Sequence, residues 1–232
     1  MTRPEDIVMV VTAHPDDSEF SAAGTIAKWV EEGKEVYYLV CTNGDKGSSD
    51  PDMTSERLAV IREQEQRSAA AVLGVKDVVF LGYPDGGLED TPEFRGKIVR
   101  YIRTWRPHTI VTSDPYRKYL WHRDHRTVGR VALDAVFPYA RDRLSYPEHE
   151  KEGLQPHKVR EVYISGSEEP NTFIDITRTF HKKVEALRCH RSQLSQRFLE
   201  GLEERLRERA ANLGKPAGIP LAEAFYRIEV PY

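Results

Sequence analysis

No stretch of this 232-residue chain stays apolar for anything near the ~20 residues that cross a bilayer, so a membrane span is not expected. Cysteine is almost missing. Cys41 and Cys189 cannot build a disulfide framework, which points to a reducing, cytoplasmic setting. A basic surplus is missing too: 34 Lys and Arg stand against 37 Asp and Glu, for a net charge of −3. A nucleic-acid partner is therefore not expected. The acidic start, Met1 to Asp6, leads into an apolar stretch about one strand long, short of the roughly 7–15 apolar residues a secretion signal needs. No Gly-x-Gly-x-x-Gly follows that stretch and no Gly-x-Ser-x-Gly elbow occurs, which removes the dinucleotide fingerprint and the serine-hydrolase turn. Internal repeats and low-complexity segments are also absent.

What the chain does have is alternation. Ile7 to Thr12 reads as a buried strand, Ser21 to Glu32 as a helix closed by Gly33, and Glu35 to Cys41 as a second strand. A polar loop over Thr42 to Asp52 follows, rich in turn formers, and its length suits a mobile rim to a site. Thr54 or Ser55 caps a helix that runs to Leu73 and stops at Gly74. Val78 to Leu81, a helix opened by Thr91-Pro92-Glu93 and ending near Trp105, and His108 to Thr112 continue the pattern. Hydrophobic residues make up 39%, enough for one sizeable core. The expectation is one α/β domain over 1–232: a Rossmann-like three-layer sandwich with a mainly parallel sheet and helices on both faces. Beyond Pro138 the segment Arg141 to His157 reads as a surface excursion. Val159 to Ser165 and Thr172 to Ile176 read as strands, Thr177 to Cys189 as a helix, and Phe225 to Val230 as a last edge strand. Ser192 to Asn212 reads as one charged helix, solvated or packed between subunits of a homo-oligomer.

Two clusters carry chemistry. His14-Pro15-Asp16-Asp17 directly follows the first strand, and His122-Arg123-Asp124-His125 follows the fourth. In a parallel sheet both loops lie along one edge, where α/β proteins place their ligands. Pro15 suits a first helical position, which would put His14 and Asp17 on one face and turn Asp16 elsewhere. Either cluster alone could be a capped, solvated helix start. Together they supply imidazoles and carboxylates for a Zn²⁺ site with a position open for water, and the donor set also suits ferrous iron. A bound divalent cation lowers the pKa of water towards about 7, and a carboxylate next to a ligand is placed to accept its proton. The pattern implies a metal-dependent hydrolase.

These residues resemble the LmbE-like, or PIG-L-type, N-acetylglucosaminyl deacetylase family. Ala13 to Glu19 matches its Ala-His-Pro-Asp-Asp-x-Glu, and His122 to His125 matches its His-x-x-His, with Arg123 where proline is usual. Weaker matches are Arg62-x-x-Glu65-x-x-x-Ala69-Ala70, Pro84-Asp85-Gly86 and Cys189-His190-Arg191-Ser192-Gln193. The resemblance implies that His14, Asp17 and His125 bind the metal and that Asp16 is the general base. It implies that His122 is a cation facing the oxyanion and that Asp124 orients and charge-balances His122. Arg62 and Asp85 would contact the substrate, an N-acetylated amino sugar or glycoconjugate. An amidase acting on a thiol conjugate or another N-acyl sugar, and a sugar-binding protein without turnover, are the alternatives. A tyrosine found in some relatives is replaced by Leu120, between Tyr119 and Trp121.

Overall fold

The computed structural model describes residues 6–231; the start of the acidic N-terminal segment lies outside them. Seven strands form one sheet in the order β3-β2-β1-β4-β5-β7-β6. They are β1 (Ile7–Thr12), β2 (Glu35–Thr42), β3 (Asp77–Tyr83), β4 (Thr109–Ser113), β5 (Glu161–Ser165), β6 (Thr172–Asp175) and β7 (Ala222–Glu229). The first five are mutually parallel, and β7 runs antiparallel to both neighbours. Residues of β1 alternate between two cores: Met9 and Val11 pack on one side, Val8 and Val10 on the other. A strand buried on both faces has to be apolar throughout, which is why Ile7 to Val11 carries no polar residue.

Helices cover both faces. On the Val8 side lie α1 (Asp17–Glu31), α2 (Ser55–Leu73) and α6 (Phe180–Leu187); on the Met9 side lie α3 (Pro92–Trp105) and α4 (Arg123–Asp134). The sequence boundaries of α2 and α3 hold because their punctuation is local. Thr54 accepts from the Arg57 amide and Thr91 from the Phe94 amide, while Gly74 ends α2 at φ 76°. A short α5 (Pro147–Lys151) lies in the excursion after β4. The fully buried Arg103 organises that excursion by donating to the carbonyls of Tyr139, Ala140, Asp142, Ser145 and Tyr146.

Three expectations are corrected. Helix α1 begins at Asp17, not Ser21, and Pro15 precedes it because Asp16 is left-handed at φ 95°. The charged segment is two helices, α7 (Gln196–Leu199) and α8 (Leu202–Gly214), broken at Gly201 with φ 71°. The last strand is not an edge: Phe225 pairs with Ser165 on one side and Thr172 on the other, leaving the short β6 outermost.

A buried ion pair ties β7 to α1. Lys183 Nζ lies 2.6 Å from Glu223 Oε1, both side chains almost inaccessible. The ammonium donates to the Phe20 carbonyl, and the carboxylate accepts from the amides of Gly24 and Thr25. Phe20 and Gly24 are i, i+4 partners in a regular helix, so the pair grips one turn of α1 from outside. Lys183→Met strands the carboxylate and is expected to cost about 3–5 kcal/mol. Thermal denaturation should show a Tm lower by roughly 10 °C; an unchanged Tm would refute the argument.

Candidate metal and hydrolytic site

The strand order reverses direction between β1 and β4, which are neighbours in the sheet. Loops leaving such a pair diverge to opposite faces and open a crevice at their C-terminal ends. His14 follows β1 and leads into α1; His122 follows β4 and leads into α4. Gly129 lets α4 come close enough to matter, since a Cβ there would stand 2.3 Å from the Ser113 carbonyl oxygen.

Within this crevice the two clusters meet. His14 Nδ1 faces His125 Nε2 at 3.1 Å. The Asp17 carboxylate spans both, 3.5 Å from His14 Nδ1 and 3.4 Å from His125 Nε2. Ligands of a tetrahedral ion with bonds of about 2.0–2.1 Å sit about 3.4 Å apart, which the separations match, the two Asp17 contacts being made by different oxygens. The other ring nitrogen, His14 Nε2, faces carboxylates: Asp85 Oδ1 at 3.1 Å and Asp124 Oδ2 at 3.3 Å. A proton on Nε2 held this way leaves the Nδ1 lone pair for a cation, the arrangement that orients metal-binding histidines. The ring nitrogens of His14, His122 and His125 also lie within 4.8 Å of one another.

Asp124 has a further part, and its charge also favours protonated His122. Fully buried at the first turn of α4, it accepts from the amides of Gly86 and Leu88, and its Oδ2 faces His14 Nε2. It thereby locks the loop after β3 onto α4 and delivers Asp85 to the crevice. Asp85, read from sequence only as a substrate contact, is also the carboxylate nearest His122, at 3.8 Å. Arg62 on α2 is buried and reaches Asp16 Oδ2 at 3.3 Å and Asp85 Oδ2 at 3.9 Å. The polar loop after β2 is fastened here: Asp45 accepts from the Asp85 amide, Lys46 donates to the Asp85 carbonyl, and Arg62 donates to Gly44.

Electrostatics separate the two adjacent aspartates. Burial pushes Asp16 up to about 7, helped by the charge of Asp17 and opposed by Arg62 and His190. Burial also works against ionised Asp17, but the hydrogen bond from His14 and the charges of His125 and His14 hold it below its ordinary range. His14, despite burial, is raised to about 10 by Asp17 and Asp85, so a cation bound at Nδ1 would displace a proton from the ring. His122 goes the other way: burial, then the charges of His14 and His125, hold it below its ordinary value. His122 stands half-exposed at the crevice mouth, its Nε2 3.8 Å from Asp85 Oδ1. A cavity of about 230 Å³ opens beside Asp17 and His125, walled by Phe20, Leu120, Arg117 and Arg209. Trp121 and Tyr119 point outward, 88% and 79% exposed.

A sequence profile of PIG-L, described as GlcNAc-PI de-N-acetylase, matches residues 9–136, a span that holds both clusters. The chain belongs to the PIG-L family. Among PIG-L relatives, the diacetylchitobiose deacetylase of Thermococcus kodakarensis is 34% identical over 220 residues, covering 93% of this chain and 80% of the relative. A probable N-acetyl-alpha-D-glucosaminyl L-malate deacetylase 2 of Bacillus anthracis is 29% identical, covering 83% of this chain and 84% of the relative. The solved N,N'-diacetylchitobiose deacetylase of Pyrococcus horikoshii, complexed with its inhibitor MPG, superposes with a TM-score of 0.92 at 31% identity. That superposition covers 97% of this chain and 84% of the other. The PIG-L chain thus shares its three-layer α/β fold with deacetylases of N-acetylglucosamine-type compounds. Both cysteines are free, and no helix among the described residues is long and apolar enough to cross a membrane.

Sequence reasoning missed three buried residues around Asp16. Glu19 appeared only as a fixed position in the first motif and His190 only within a weak one. Gln66 had no signal at all, because an amide on the inner face of a helix has no spacing rule of its own.

Proposed function

We propose that this protein is a zinc-dependent N-deacetylase that hydrolyses the acetamide of an N-acetylglucosamine-type sugar or glycoconjugate, in a reducing, cytoplasmic compartment. The observation that carries the reading is the convergence of His14, Asp17 and His125 within 3.1–3.5 Å of one another, with the Asp16 carboxylate one residue from a ligand. These three residues would hold the ion, and ferrous iron suits the same donors. When bound, such a cation supplies a Lewis acid that acidifies water and polarises a carbonyl.

The chain's own residues do the rest. Asp16, held near neutrality, accepts the proton of the attacking water and later returns it to the departing amine. His122 faces the oxygen on which negative charge builds and donates an N–H to it. Asp85 faces sugar hydroxyls and fixes the ring of His14, while the buried Arg62 holds Asp16 and Asp85 from behind. Asp124 holds His14 from behind.

The test is direct. Purified protein is expected to carry about one metal ion per chain and to release acetate from N-acetylglucosamine or diacetylchitobiose, measured by elemental analysis and an acetate assay. Sugar binding with neither metal nor acetate would sink the reading in favour of a binding protein.

A further inference from the structure

Asp16 holds an L side chain at φ 95°, a conformation that costs on the order of 1–2 kcal/mol and persists only when its surroundings impose it. The imposing contacts can be named. Its amide donates to Gln66 Oε1 at 2.9 Å, and its carbonyl accepts from the Phe20 amide at 3.1 Å. Arg62 holds the preceding Pro15 carbonyl at 2.6 Å and the Asp16 carboxylate at 3.3 Å. Gln66 is wholly buried, and its amide nitrogen donates to Glu19 Oε1 at 3.0 Å. Glu19 is also wholly buried: Oε2 accepts from Ser18 Oγ at 3.0 Å and stands 3.5 Å from His190 Nε2. His190 is inaccessible, and Glu19 is the carboxylate its Nε2 faces. Its segment is tied back to α2, since Ser192 donates from both N and Oγ to Glu65, the neighbour of Gln66.

A carboxylate and an imidazole cost desolvation energy to bury, which close pairing and hydrogen bonds offset. Here the chain of contacts ends on one backbone amide, that of Asp16. We infer that Gln66 is a positioning residue that holds Asp16 in its left-handed conformation, with Glu19 and His190 fixing the Gln66 amide from behind. This rests on the reading of Asp16 as the proton acceptor. The amide orientation follows from its partners: the Asp16 N–H needs an acceptor and the Glu19 oxygen needs a donor, so only one of the two flips satisfies both. Gln66 thus sets the backbone of Asp16 while Arg62 sets its carboxylate. Losing the first should misaim the base without emptying the metal site.

The experiment uses the full-length, metal-loaded protein. Gln66→Met is expected to lower kcat by roughly 10- to 100-fold, with KM within about twofold and metal content unchanged. Gln66→Glu sets a second carboxylate against Glu19 and should be as poor. Adding Glu19→Gln restores a donor–acceptor pair in reverse and should recover most of the lost kcat, a result that generic loosening does not give. Amide hydrogen exchange supplies a readout without turnover: the Asp16 amide should be protected in the wild type and lose roughly tenfold or more of that protection in Gln66→Met, while Ile26 in α1 does not. Unchanged kcat in Gln66→Met, or a swap no better than Gln66→Glu alone, overturns the proposal. Should Gln66→Met not fold, the swap comparison decides. Lost Asp16 protection in a protein whose wild type releases no acetate overturns the deacetylase reading and leaves the positioning role standing.

Discussion

Asp16→Asn is expected to retain its metal and lose roughly 10²- to 10⁴-fold in kcat, the usual contribution of a general base. Asparagine is the fitting replacement because it tolerates the left-handed region better than other residues with a Cβ, and position 16 sits at φ 95°. Its carbonyl oxygen can still accept from Arg62, so the variant removes the proton acceptor and little else. A second consequence follows from linkage. A carboxyl held up to about 7 in the folded chain is protonated there at pH values where the unfolded chain has already ionised. Each such group therefore weakens folding as pH rises from its ordinary range near 4 to about 7. The variant lacks that cost, so with chelator present its Tm at pH 8 should exceed that of the wild type, and the gap should close near pH 4. Steady-state kinetics, elemental analysis and thermal scans at the two pH values check all three points. A fully active Asp16→Asn would remove Asp16 from the chemistry.

His125→Ala is expected to lose the metal itself. His125 Nε2 faces His14 Nδ1 at 3.1 Å and Asp17 Oδ1 at 3.4 Å, so its removal leaves one imidazole and one carboxylate, too few protein ligands for a catalytic zinc site. Affinity should fall by at least ~100-fold, beyond the effect of losing a supporting contact, and acetate release should drop to background. The fold should survive, because His125 is partly exposed near the start of α4 and contributes nothing to the core. Elemental analysis after dialysis, with circular dichroism as the folding control, decides it. Stoichiometric metal in His125→Ala would move the site to the neighbouring set, His14, Asp85 and Asp124.

These two variants test residues that were legible in the sequence, and the reason is local. His14 and Asp17 are three apart beside a strand of purely apolar residues, and His122 and His125 repeat the spacing at the next strand of the reversal. The ends of neighbouring parallel strands lie along one edge of the sheet by construction, so the crevice between their loops needed no distance information. Asp85 illustrates the limit. Its loop is drawn to His14 by Asp124, whose oxygens hold the Gly86 and Leu88 amides, and nothing near residue 85 announces that reach. Gln66 illustrates it further, since its contact with Asp16 crosses 50 positions and its side chain looks like any helical amide. The placement of β7 was hidden for another reason. A strand buried between two antiparallel neighbours and an edge strand present the same alternation, and only the pairing of Phe225 on both sides distinguishes them.

The ligands reach the crevice from helices that lie on opposite sides of the sheet, α1 on one and α4 on the other. An ion gripped by both would act as a rivet through the molecule, joining the two helical layers at the sheet edge where α1 and α4 already approach each other. Occupancy would then be written into the mechanical integrity of the whole sandwich as well as into its chemistry, and starving the protein of metal would loosen the two halves from each other before it unfolded either one.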